Sequence, residues 1–463
     1  MEVRTFTPTY FSENHDVEMS PEMVAAIFAR YSRQGEGLNA ILTQLENTPK
    51  DKFEESVWKF LDYGHASIGG LTGSIPTGID NVSMLSPYLA FFLQPKQDGQ
   101  ETSTRYVEFK PEGLATPDSF GIPERFHNKW YETMLDGFDI NKKLVGKLNK
   151  LAEESPELTR IDTSLPAKVQ SRMRKNFGFD RARYTIPMAG LTNFGLVMTA
   201  REWAETIKYA SSFDFSESRE LGDALRENIA EVAPRLMKHS EPTERTQSYA
   251  DEFLDRGVEY LLENGVNVGM VKDIVSVETH IPKNTLDATS GRSLSEELAK
   301  NFDGKKTRYD YAKGLAEKIR ISVSWNNMSL AEARDINRQR PCVKDTLLAP
   351  VGSYMPDICV DLMKNDGELF DQYSRFLDQR AELMNEIINS EAPRSYVGCL
   401  LLGDQTPFEL HTSAAHFTYV TELRTSMGVH FRYDQHVRDA HQEVVEQIPE
   451  LDPYIKLGTG EPE

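Results

Sequence analysis

The chain has 463 residues, of which 39% are hydrophobic and 27% charged, an ordinary globular composition long enough for two or three domains. Its 72 acidic residues outnumber 52 basic ones, a net charge of −20, which argues against non-specific binding to nucleic acid, because phosphate contacts need clustered Lys and Arg. No stretch approaches the roughly 18 uninterrupted apolar residues of a membrane span, and the N-terminus, MEVRTFTPTYFSENHD, lacks the basic and apolar regions of a secretion signal.

Three cysteines, Cys342, Cys359 and Cys399, form no CxxC pair. An odd count suits free thiols in a reducing compartment, so the expected location is cytoplasmic.

The first strong pattern is the alternation of Leu71, Gly73, Ile75, Thr77 and Ile79, the period of a half-buried strand. Asn81 or Ser83 is placed to cap a following helix, and Pro95 to end it. Lys168, Arg172, Arg174, Lys175, Arg181 and Arg183 then form a basic stretch against the acidic background. It reads either as a funnel for a phosphorylated ligand or as a solvated helix face. Trp203, Ile207 and Ala210 have the spacing of a helix opening near Thr199.

A polar stretch from His239 to Ser248 is the clearest compositional break, near the midpoint. Beyond it, Ile319, Ile321, Val323 and Trp325 alternate as a second strand. Ser329-Leu330-Ala331-Glu332 has the form of a capping box. The helix it opens is expected to run through Ala333, Ile336 and Arg340 to Pro341. Phe417, Val420 and Leu423 mark a later helix. Strand, capped helix and proline stop thus occur twice in the same order, which predicts an internal repeat, with residues 1–240 as one copy and 241–463 as the other.

The recognisable motifs follow the first-half helix. Gln100-Glu101-Thr102-Ser103-Thr104-Arg105-Tyr106 resembles the end of the signature of flavin-dependent thymidylate synthases, an Arg-His-Arg triplet and Ser followed by Asn-Glu-x-Ser-x-Arg-Tyr. Ala29-Arg30-Tyr31-Ser32, Gly64-His65-Ala66-Ser67, Arg183-Tyr184-Thr185-Ile186-Pro187 and Thr199-Ala200-Arg201-Glu202-Trp203 are similar, in order, to four further family segments.

The first half also departs from the pattern. Leu93-Gln94-Pro95 stands where Arg-His-Arg is expected, Gly70 replaces a glutamate, and Glu205 and Ala210 replace an asparagine and an arginine. The second half supplies part of what is missing. Arg334-Asp335-Ile336-Asn337-Arg338-Gln339-Arg340 resembles Arg-Gln-x-x-Arg-His-Arg, and Glu422-Leu423-Arg424-Thr425 resembles the late Leu-Arg segment. It has no recognisable Glu-x-Ser-x-Arg-Tyr.

The resemblance implies an α/β (α+β) fold of two diverged copies in tandem, mixed sheets with long covering helices, related by a pseudo-twofold axis. The family enzyme is a tetramer whose sites are shared between subunits, so complementary losses imply one composite site per pair of halves and a homodimer that forms a pseudo-tetramer. Carried over residue by residue, the substrate-binding set is Glu101, Ser103, Arg105, Arg183, Asp335, Arg338 and Arg424. The cofactor-binding set is Ser32, His65, Arg201, Arg338, Gln339 and Arg340, and the catalytic candidates are His65 and Arg424. FAD is the implied cofactor, with NADPH and methylenetetrahydrofolate as candidate co-substrates.

The residue types suit that chemistry. Guanidinium forks bind a doubly charged phosphate through bidentate bonds. Arg334 and Arg338 are four apart, on one face of the expected helix, and Arg338 and Arg340 are expected in its last turn, where the helix dipole favours cations. Ser103 has no evident histidine base and is read as a binding residue. His65 is read either as a flavin- or folate-stacking ring or as an ordinary histidine. His411 and His416, like His436 and His441, are five apart, off the spacing of a helical metal pair, and no metal site is expected.

Two functions remain open: a flavin-dependent methyltransferase-like enzyme acting on a pyrimidine nucleotide, of the dUMP to dTMP type, or a degenerate nucleotide-binding paralogue with a sensing or scaffolding role.

Overall fold

The computed structural model describes residues 1–7, 10–12, 15–30, 38–49, 52, 70–162, 164–282 and 291–460. The chain forms two compact units. One collects residues 1–102, 113–121 and 190–254, and the other residues 103–112, 122–189 and 255–463.

The strands of the first unit are β1 (Glu2–Thr5), the hairpin β2 (Tyr10–Ser12) and β3 (His15–Met19), β4 (Ile75–Ser83), β5 (Asp98–Glu101) and β6 (Leu191–Met198). A four-stranded sheet has the order β1-β4-β6-β5. Ile75 and Ile79 of β4 point into a core shared with Phe194, Leu196, Trp203, Ile207 and Leu225. The Trp203 indole donates to the Ile75 carbonyl at 2.9 Å, which fixes the helix Ala200–Ala210 on the sheet while satisfying a buried polar group.

Two expectations about β4 are corrected. The strand begins at Ile75, because Gly73 has φ 71° and breaks the extended run that the alternation from Leu71 implied. It also continues to Ser83 past a bulge between Ile79 and Val82. Asn81, with φ 59°, sits in that bulge and donates its N–H to Asn193 Oδ1 at 2.9 Å, a backbone state that asparagine tolerates better than most residues. The helix Leu85–Leu93 therefore starts after Met84 with no side-chain cap. Ser83 and Ser86 instead donate their hydroxyls to the buried Glu217. The helix does stop before Pro95.

The second unit carries β7 (Val275–His280), β8 (Arg320–Ser329), β9 (Val343–Thr346), β10 (Gly352–Ser353) and β11 (Asp404–Ser413). Its sheet follows β10-β11-β8-β7, with β9 also on β11. Every strand pairing described in the two larger sheets is antiparallel, so neither is a mixed sheet. Ile321, Val323 and Trp325 face the core as their alternation predicted. The helix Leu330–Ile336 begins after Ser329, but the Ser329 hydroxyl bonds the Glu332 carboxylate and makes no cap to the backbone.

The two sheets share one plan. β1-β4-β6-β5 in the first unit corresponds to β7-β8-β11-β9 in the second. β4 and β8 each lead into a short buried helix, and β6 and β11 each lead into an 11-residue helix, Ala200–Ala210 and Ala414–Arg424. The central pairs β4–β6 and β8–β11 both carry a bulge. Ala210 and Arg424 close the paired helices, so the arginine missing from the first half has its counterpart in the second.

The second unit also contains long helices from both halves of the sequence, His127–Glu154 and Gly367–Ile388. A Cβ on Gly137 would meet the Thr185 carbonyl at 2.4 Å and the Phe376 ring at 3.1 Å, so only glycine permits this approach. Beside it, residues 184–188 run antiparallel to 400–403. Met188 N–H donates to Leu400, Leu402 N–H to Ile186 and Gly403 N–H to Tyr184, at 2.7, 2.9 and 2.8 Å.

Candidate functional site

A buried cluster in the second unit joins four segments. They are the turn Ser103–Arg105, the helix end and 3-10 turn around residues 180–185, the helix Leu330–Ile336 with the turn after it, and the residues following the helix Ala414–Arg424. Arg105 grips Asp180 with its whole fork, Nε to Oδ1 at 2.7 Å and Nη2 to Oδ2 at 3.1 Å. Its Nη1 donates to the Gly428 carbonyl at 3.1 Å. Ser103 Oγ accepts the Arg105 backbone N–H at 3.2 Å, so the serine shapes the loop that presents the arginine.

Arg183 is only 2% exposed. It donates through Nη1 to Thr104 Oγ1 at 3.1 Å. Its Nη2 lies 3.7 Å from Glu332 and 4.0 Å from Asp335. Neither Nε nor Nη2 has a hydrogen-bond partner among the described residues, an unusual condition for a buried guanidinium.

Glu332 is fully buried. It accepts from the Tyr184 hydroxyl at 2.7 Å and from Ser329, and Arg432 Nε lies 3.5 Å away. Burial pushes its carboxyl above the usual carboxylate range, a push opposed by Arg432 and Arg183. Arg432 continues the network to Asp273 through bonds of 2.7 and 3.1 Å. His430, also buried, lies between Tyr184 and Asp180 and is held neutral, its pKa far below the ordinary histidine value through burial and the charges of Arg183 and Arg105.

Asp335 takes Arg338 Nη2 at 2.5 Å. Burial alone would raise its pKa, but Arg338, Arg183, Arg424 and Arg105 together hold it well below the usual range. Arg424 lies over the Tyr433 ring at 5.1 Å and reaches the Asp335 carbonyl at 3.5 Å. With its amide oriented to satisfy hydrogen bonding, Gln339 accepts from Arg424 Nη2 and Nε at 2.5 and 2.9 Å.

The structure thus gathers Ser103, Arg105, Arg183, Asp335, Arg338 and Arg424 into one cluster. The helix expected to carry Arg338 and Arg340 ends at Ile336. Arg338 and Arg340 lie in the following turn, so Arg334 and Arg338 do not share a helix face and neither terminal arginine occupies the last helical turn. Glu101 and Arg201 belong to the first unit. Glu101 ends the edge strand β5, and Arg201 is exposed, 3.3 Å from Glu202. Ser32 and His65 lie outside the described residues.

Residues 16–235 match the profile of the family described as thymidylate synthase complementing protein. This first half of the chain belongs to that family. No curated protein matches the chain. Membership implies a thymidylate-synthase-like function, in a family that generally uses FAD and acts on dUMP. No helix among the described residues is long and apolar enough to cross a membrane.

Against that membership, the cluster provides several guanidiniums suited to phosphate and a carboxylate, Asp335, suited to an amino donor. Donor chemistry at Arg338 and Arg340 also fits the diphosphate of a flavin dinucleotide. The remaining cofactor candidates are not gathered beside them among the residues of this unit, and Gln339 is buried against Arg424 rather than turned outward.

The motifs did not announce Asp180, Glu332 or His430 as members of the cluster. Glu332 carried a signal of its own, a carboxylate between Ala331 and Ala333 in a short apolar helix, where burial demands a partner. Asp180 offered none, because its partner Arg105 is 75 residues away in sequence.

Proposed function

We propose that the chain is a tandem, flavin-dependent thymidylate-synthase-like protein whose arginine cluster holds the phosphate of a pyrimidine nucleoside monophosphate. The observation that carries this reading is Arg183, buried between the two halves' motif residues with two guanidinium nitrogens that lack acceptors among the described residues. A phosphate oxygen supplies the acceptor such a group needs. Arg105 and Arg338 flank it, and Arg424 stands beside Asp335 to read the base. When bound, FAD would carry the hydride of the reductive methylation, and the protein's part is to orient the nucleotide and balance charge. The corresponding sheet plans support one composite site built from motifs that each copy retained.

One observation favours a second reading, nucleotide binding without turnover. Asp180 and Asp335 already engage the forks of Arg105 and Arg338, and Gln339 occupies the motif's histidine position. The two readings separate in one experiment. Purified protein is examined for flavin absorbance and titrated calorimetrically with dUMP, and the reduced protein is then given dUMP and methylenetetrahydrofolate. Release of dTMP establishes the enzyme. Saturable dUMP binding with no flavin and no product establishes the binding protein, and no dUMP binding by protein of native stability overturns both.

A further inference from the structure

A second cationic surface lies apart from the arginine cluster in residues and in chemistry. The helix Ala167–Ala182 and the end of the helix His127–Glu154 border a groove of about 550 Å³, lined by Asn149, Glu153, Lys168, Ser171, Arg172 and Lys175 among others. That volume falls in the range of small-ligand sites. Lys168, Arg172 and Lys175 occur at i, i+4 and i+7, so they form one stripe on one helix face. All three are exposed.

Their lack of partners is the informative point. The chain carries 72 acidic residues against 52 basic ones, and several lysines of the neighbouring helix are matched. Lys129 pairs with Glu382 and Glu386, Lys143 with Asp139, and Lys147 with Asp366. Among the described residues, Lys168 and Arg172 have no ion pair at all, and Lys175 only overlies the Phe179 ring at 5.2 Å. Unpaired like charges on one stripe repel. The positive end of the helix dipole, beside Lys168, adds to the same field.

We infer that this groove binds a linear polyphosphate group, such as the triphosphate of a nucleotide or inorganic tripolyphosphate, at a site separate from the monophosphate-binding cluster. Lys168 and Lys175 are about 10 Å apart along the helix axis, close to the Debye length at physiological salt. A single phosphate therefore meets one or two of the cations, whereas a phosphate chain spans all three. Ser171 adds a hydroxyl donor within the groove. Glu153 is the one carboxylate among the named lining residues, and it weakens the binding of any anion.

The test uses the full chain and calorimetric titration with inorganic tripolyphosphate, orthophosphate and adenosine triphosphate at low and high salt. Tripolyphosphate is expected to bind at least tenfold more tightly than orthophosphate, with affinity falling steeply as salt rises. The triple variant K168Q/R172Q/K175Q should lose at least tenfold in affinity, and E153Q should gain a few-fold, with unchanged melting temperature and unchanged dUMP binding. Equal affinities for tripolyphosphate and adenosine triphosphate mean that the phosphate chain alone is recognised, and tighter nucleotide binding adds a nucleoside contact in the same groove. No tripolyphosphate binding, or binding indifferent to the triple substitution, overturns the inference.

Discussion

Arg105 and Asp180 close a two-bond fork, at 2.7 and 3.1 Å, with side chains only 15% and 7% exposed. The carboxylate holds the guanidinium in place. Asp335 does the same to Arg338 at 2.5 Å. Each fork therefore carries its own internal anion, and on the proposed function a nucleotide phosphate must displace or share it.

Asp180→Asn tests that competition. The amide keeps the shape and removes the charge, so dUMP affinity measured by calorimetry should rise by about five- to tenfold if the carboxylate competes, a change of about 1 kcal/mol. The same substitution leaves a largely buried guanidinium without its charge partner and should lower stability by roughly 2–4 kcal/mol, read from urea unfolding. Tighter binding together with weaker folding is the expected signature, and weaker binding would mean that Asp180 positions Arg105 for the ligand.

Glu332 is the centre of the buried network. Glu332→Gln should cost about 3–5 kcal/mol, because the buried Arg183 and Arg432 lose a shared counter-charge. Tyr184→Phe removes one hydrogen bond to the same carboxylate and should cost about 1–2 kcal/mol. In the double variant the losses should fall short of their sum, since both act through one oxygen, Oε1.

His416 gives a pH dependence that a single substitution isolates. Burial, aided by Arg340, lowers its pKa to about 4, against about 6.5 in the unfolded chain. The unfolded state therefore binds more protons between those values. Stability is fully present above about pH 6.5 and falls as pH drops towards 4, by about 1.4 kcal/mol per pH unit from this residue. His416→Asn should flatten the slope of stability against pH by that amount between pH 6 and 4.5, measured from urea midpoints, and should leave the slope above pH 7 unchanged. Glu332, raised in the fold, works in the opposite sense, its contribution lost as pH rises through its folded pKa, and it is common to both proteins compared.

Much of the architecture was legible because one face of each element is buried. Ile321, Val323 and Trp325 alternate on β8, and Trp203 and Ile207 sit four apart on a helix, so period alone identified both. Boundaries were less legible. Asn81 looks like a helix cap but takes a left-handed backbone inside a strand, paired to Asn193, a partner 112 residues away. The helix after Ser329 ends at Ile336 although the residues up to Arg340 are compatible with a helix, and its last carbonyls hand over to a turn stabilised by Lys344, which donates to the Asn337 carbonyl. At the site, motif arginines could be placed together by resemblance. Their carboxylate partners could not, because pairing such as Arg105 with Asp180 depends on tertiary contacts that carry no local spacing.

The composite character of the cluster makes the last prediction. Arg105 and Arg338 lie 233 positions apart in sequence, yet both act on the charge of Asp335. If both serve one nucleotide phosphate, Arg105→Ala and Arg338→Ala should each reduce dUMP affinity by about 100-fold, near 3 kcal/mol for a charged hydrogen bond. The double variant should be little weaker than either single one, because the first loss already removes the bound geometry on which the second contact depends. Arg105→Lys and Arg338→Lys keep the charge but not the fork, and should recover only part of the loss. Calorimetric titration of the wild-type protein and these five variants with dUMP decides the matter. Losses that add in full would place the two arginines at independent sites, and the single composite site would have to be abandoned.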